Sequence, residues 1–306
     1  MSPPDPLSDP SPAHRGRRLA AMLTLAVLAG LAGACSTSVS RPPASTAARS
    51  PDPEGPSATA IAARSATTAF ALDVDHDTAA FVGAVDALSA AAASGDTSAA
   101  KVDELSAQAD YDSFRVLETG SPVNAATLDE LASDVAPEES FAGLHAVERD
   151  LWTSGPLAED VSSLVGQAPV ARTLLARERL RPGAIGTVAV DQLDWVVDIA
   201  LPQIQEQYSG LGLVDVDATV RAAQQSFSTI ESMARLVDPA LTATAAGELV
   251  DVTDQVAALG APTSVTDADL PGASRLALSQ ELDAAATTLS RLAATLVRFT
   301  PAASPS

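Results

Sequence analysis

The chain has 306 residues, with 39 acidic side chains against 18 basic ones and a formal net charge of −21. That balance excludes a nucleic-acid partner, because phosphate backbones are held by clustered Lys and Arg, and it suits an attraction for cations. Ala and Leu dominate, aromatics are only 3% and strand-like alternation is scarce, so the fold class is all-α.

Residues 1–34 read as an export leader. Arg15, Arg17 and Arg18 form a basic start, Leu19 to Leu31 is an apolar run, and Ala32-Gly33-Ala34 is a small-residue cleavage site. The run is shorter than the roughly 20 apolar residues a membrane span needs. Leu31-Ala-Gly-Ala-Cys35 resembles a bacterial lipobox, with an atypical Ala third before the Cys. The resemblance implies a diacylated Cys35, held on the outer face of a membrane without spanning it. Cys35 is the only cysteine, so no intrachain disulfide is expected. Residues 35–66, rich in Ser, Pro, Thr and Ala, read as a flexible tether, and 300–306 as a disordered tail.

The span 67–299 is expected to fold as helical bundles, as two packed four-helix-bundle-like halves. Helices are predicted over Thr67–Ala93, Ser98–Glu118, Ala125–Asp134, from Glu138 through Trp152, and over Leu157–Leu180, Val188–Tyr208, Val216–Val237, Pro239–Leu259 and Ser274–Phe299. Their breaks carry turn residues: Gly95, Ser121-Pro122, Gly155-Pro156, Pro182-Gly183, Ser209-Gly210 and Gly260-Ala-Pro262. Pro202 falls inside a predicted helix and is expected to kink it. Asp73, Asp75, His76 and Asp77 read as capping charges at the first helix, with a second metal site as the lesser alternative.

The most informative residues are His145-Ala-Val-Glu148. A His and a Glu three apart share one helix face, and metal-holding bundles use this carboxylate–imidazole spacing. After the leader the chain keeps only two His, His76 and His145. The plain alternative is a core histidine with its polar atoms satisfied.

The block Gly143-Leu-His-Ala-Val-Glu-Arg-Asp-Leu-Trp152, with Phe81-Val-Gly-Ala-Val and Gly95-Asp96 upstream, resembles the imelysin-like family. That family includes the EfeO- and EfeM-type periplasmic iron-uptake lipoproteins. The resemblance implies that His145 and Glu148 bind metal. It adds Glu118 from Phe114-Arg-Val-Leu-Glu118, and Asp191 and Asp194 from Val190-Asp-Gln-Leu-Asp-Trp195, as candidate ligands. It implies iron as the cargo, with copper or zinc as alternatives, and an iron permease and a peroxidase-type protein as partners. Phe114 stands where the family has Tyr, and Ala189 where it often has His. With no cupredoxin-like region, the chain resembles the short, EfeM-like form.

Two other functions stay open at this level. One is a degenerate structural or polymer-binding surface lipoprotein. The other is a metallopeptidase, against which the motif lacks the second His of His-Glu-x-x-His. No Ser/His/Asp or Cys/His motif supports an enzyme, so none is expected.

Overall fold

The structure, a computed structural model, describes residues 57–118, 128–131, 141–202 and 206–298. Cys35, the leader, most of the tether and the tail therefore lie outside the described residues, as does most of the helix predicted over Ala125–Asp134. Among the described residues there are eight α-helices and no strand: α1 Ala58–Ser94, α2 Thr97–Asp112, α3 Leu144–Thr153, α4 Leu157–Leu175, α5 Pro182–Trp195, α6 Leu213–Val237, α7 Pro239–Leu259 and α8 Gly272–Arg298. None is long and apolar enough to cross a membrane.

α1 starts at Ala58, nine residues before the predicted domain edge, because Ser57 caps it by accepting from the Ala60 N–H at 3.2 Å. The Ser- and Ala-rich stretch 58–66 is compositionally a tether, yet Ala63 and Ala66 are buried against the bundle. α1 ends as expected at Gly95, whose φ of 75° is cheap only without a Cβ and whose N–H caps Ala91 and Ala92. Asp73 to Asp77 lie in the middle of α1, not at its N-cap, and His76 is exposed there.

The described helices cluster as one unit and not as two separate bundles. α6 packs on α1 and α2 as well as on α5 and α7. One cluster of buried side chains runs from Phe70 and Phe81 through Leu193 and Ile230 to Leu289. α5 and α8 approach closely because Gly183 and Gly186 present no side chain: a Cβ on Gly186 would stand 2.9 Å from that of Ala293.

Three departures from the predicted boundaries build the site. α2 stops at Asp112 and turns into a 3₁₀ segment, Arg115–Glu118, instead of running on as α-helix. α3 begins at Leu144, not Glu138. Phe141 and Ala142 are non-helical, and Gly143, at φ 95°, forms an antiparallel bridge with Asp129 in a stretch predicted to be helix. α5 begins at Pro182, whose fixed φ suits the first helical position. It widens into a π-helical turn, Val196–Ala200, with the Leu201 N–H on the Val196 carbonyl at 2.9 Å, and the helix ends before Pro202. The predicted helix to Tyr208 thus gives way to a loop, and residues 206–212 fold back over α3.

Candidate metal centre

α3 is buried almost all round: Leu144, His145, Ala146, Val147, Glu148, Asp150 and Leu151 are all out of solvent. The one-turn spacing of His145 and Glu148 places the imidazole Nδ1 3.5 Å from Glu148 Oε2. The other ring nitrogen, Nε2, lies 3.1 Å from Asp129 Oδ1, where the Gly143 bridge holds Asp129. Glu148 Oε1 accepts from the backbone N–H groups of Tyr208 and Ser209 at 2.9 and 2.6 Å. The loop after Pro202 therefore locks onto α3 and delivers Glu206. His145, Glu148 and Glu206 each offer a ligand atom within 4.8 Å of the others, and all three are buried.

A ring of charge surrounds this group. Glu104 and Asp112 come from α2 and Asp215 from the first turn of α6, each 0% exposed. Asp112 pairs with Arg115 at 3.2 Å and accepts from Gln108 at 3.1 Å, and its charge acts on Asp215. Arg115 also binds Asp129 and stacks 3.8 Å over Trp195. The aromatic trio Phe81, Tyr111 and Phe114, with ring centroids 5.4–5.8 Å apart, walls one side. The five buried carboxyls Glu104, Asp112, Glu148, Glu206 and Asp215 thus share an interior with two cationic partners, Arg115 and His145. Burying an isolated charge is costly enough that a group takes up a proton or a counterion.

The acid–base pattern follows. Burial raises Glu206, and the charge of Glu148 adds to it, taking its pKa to about 8. Burial, then Glu206 and Glu148, holds Glu104 well above the carboxylate range, and burial with Asp112 does the same to Asp215. Burial lifts Asp112 to about 7 against the pull of Arg115. Burial disfavours charge on Glu148 too, but the His145 contact and the Ser209 and Tyr208 amides outweigh it and hold Glu148 low. Burial likewise opposes imidazolium at His145, and the Asp129 and Glu148 carboxylates overcome it and raise its pKa well above the usual value.

These donors fit a cation. Ligand oxygens of Glu148 and Glu206 lie within 4.8 Å of one another, a closeness of two buried carboxyls that a shared proton or a cation relieves. His145 gives Nε2 to Asp129 and turns Nδ1 toward Glu148, the arrangement in which a second carboxylate orients a metal-binding imidazole. One nitrogen with carboxylate oxygens suits Fe, Mn, Zn or Cu.

Of the ligands suggested by resemblance, the structure brings together His145 and Glu148. Glu118 is buried nearby, but its Oε2 accepts the Tyr111 hydroxyl at 2.8 Å and it stands outside the group of three. Burial, partly offset by that bond, takes its pKa to about 7. Tyr111, one turn before Phe114, thus supplies a phenol beside the site. Asp191 and Asp194 are corrected: both are exposed, because α5 buries Val188, Ala189, Gln192 and Leu193. Their charged neighbours are each other, Asp198 and Asp283, none of them in the buried cluster. Glu206, Glu104, Asp112, Asp129 and Asp215 were not foreseen.

No family model matches the chain, and no curated protein matches it either.

Proposed function

We propose that the protein is a lipid-anchored, extracytoplasmic metal-binding protein that holds iron between its helices and hands it to a membrane permease. The observation that carries the binding step is the buried group of His145, Glu148 and Glu206, whose ligand atoms lie within 4.8 Å of one another amid an excess of buried carboxyls. The lipobox-like Cys35, the Ser/Pro-rich stretch after it and the resemblance to imelysin-like iron-uptake lipoproteins support the anchoring, the cargo and the permease partner.

In this reading His145 Nδ1, Glu148 and Glu206 hold the cation, Asp129 orients the imidazole, and the Tyr208 and Ser209 amides orient Glu148. Binding displaces protons from the carboxyls and neutralises charge that the fold alone leaves unpaired. Metal content and titration of the purified protein with iron, copper and zinc test it. The wild type should bind one of them, and His145→Ala and Glu148→Ala should each weaken binding by about 100-fold or more, the upper end of what even orienting partners contribute. Wild-type affinity in both variants would refute the site. A wild type that binds none of these metals would favour the surface-lipoprotein alternative.

A further inference from the structure

Glu104 is a residue that neither the fold nor the three-residue group explains. It sits on the inward stripe of α2 with Ala100, Ala107 and Tyr111, where an apolar side chain would satisfy packing. It is 0% exposed, and among the described residues neither of its carboxyl oxygens has a hydrogen-bond partner. Buried polar groups are almost always bonded, so a fully orphaned carboxyl asks for a ligand. The helix that carries Glu104 packs directly on α3, and the charges acting on Glu104 most strongly are those of Glu206, Glu148 and His145, so it lies near the candidate metal group. It stands outside the tight set of three. Among the described residues the cations near it are engaged elsewhere: Arg115 faces Asp112 and Asp129, and His145 faces Asp129 and Glu148.

We propose that Glu104 is a fourth ligand of the cation held by His145, Glu148 and Glu206, and that its charge sets the site for a trivalent ion over a divalent one. This rests on the metal-site reading above. A neutral imidazole with two carboxylates carries charge −2 and balances a divalent ion. Adding Glu104 makes −3, which a divalent ion leaves partly uncompensated in a medium of low dielectric and a trivalent ion cancels. An all-oxygen addition also suits a hard cation better than a soft one.

The test is competition dialysis of the full chain in detergent. Gallium(III) citrate serves as a redox-inert trivalent probe and zinc(II) as the divalent one, against wild type, Glu104→Gln and His145→Ala, with the melting temperature of each metal-free variant measured alongside. Glu104→Gln keeps the shape and removes the charge. It should melt at or above the wild-type temperature, bind gallium at least 100-fold more weakly, and change zinc affinity less than 5-fold. Equal losses for both ions, or none for either, would overturn the proposal, as would a Glu104→Gln chain that fails to fold. If His145→Ala abolishes binding while Glu104→Gln behaves as wild type, only the role of Glu104 falls. If the wild type binds neither ion, or His145→Ala binds both normally, the metal-site reading falls and takes this proposal with it.

Discussion

At the scale of single residues, the contact that organises the centre is the one from His145 Nε2 to Asp129. A carboxylate there fixes the ring orientation and its tautomer, and loss of such a partner costs 10- to 100-fold in metal affinity in general. Asp129→Asn should therefore weaken metal binding by about 10- to 100-fold while leaving the helical circular-dichroism spectrum intact; an unchanged affinity in titration would remove Asp129 from the centre. His145 and Glu148 were legible because both lie on one helix and local spacing alone puts them on one face. Glu206 was not, because a break at Pro202 and a loop bring it in, and no periodicity encodes that. Asp191 and Asp194 entered through resemblance alone, and α5 leaves both exposed to solvent.

At the scale of elements, α2 held a readable signal that went unread. Its buried residues Ala100, Glu104, Ala107, Gln108, Tyr111 and Asp112 follow helical spacing, so three polar side chains interrupt an apolar stripe. The helices themselves were largely legible, since α1, α6, α7 and α8 end within a few residues of Ser, Gly or Pro signals. The errors lie at Asp112, Gly143 and Pro202, where a 3₁₀ segment, a glycine at positive φ and a proline set the helix bounds. Packing of α5 on α8 gives a separate prediction. Gly186 already leaves only 2.9 Å for a Cβ against Ala293, so Gly186→Val overpacks a tight interface. Overpacking costs about 1–3 kcal/mol, and valine recovers less of glycine's helix penalty than alanine would. Chemical denaturation should show a loss of that size, and no loss would mean that α5 and α8 are not in this contact.

At the scale of the whole molecule, the interior charge makes stability depend on pH in an unusual direction. Glu206, Asp112 and Glu118 have folded-state pKa values raised to about 8, 7 and 7. Their stabilisation is complete below their unfolded values near 4, where both states are protonated, and is lost as pH rises from there through 7 and 8, because over that window the unfolded chain has given up protons that the folded chain retains. Glu148 and Asp129, held low, act oppositely and lose their contribution as pH falls below about 4. The metal-free protein should therefore be most stable near pH 4–5, and its melting temperature should drop by about 5–10 °C between pH 5 and pH 8. Bound metal displaces those protons and should flatten the profile. A metal-free protein that is more stable at pH 8 than at pH 5 would contradict the charge distribution described for the interior.

The central claim is that a cation sits between α3 and the loop after Pro202. The most direct test is a crystal structure of the metal-loaded protein with anomalous scattering recorded at the metal's absorption edge. The account predicts one strong anomalous peak at about 2.0–2.3 Å from His145 Nδ1 and from carboxylate oxygens of Glu148 and Glu206. A peak at Asp191 and Asp194, at the acidic stretch of α1, or nowhere in the bundle would contradict it.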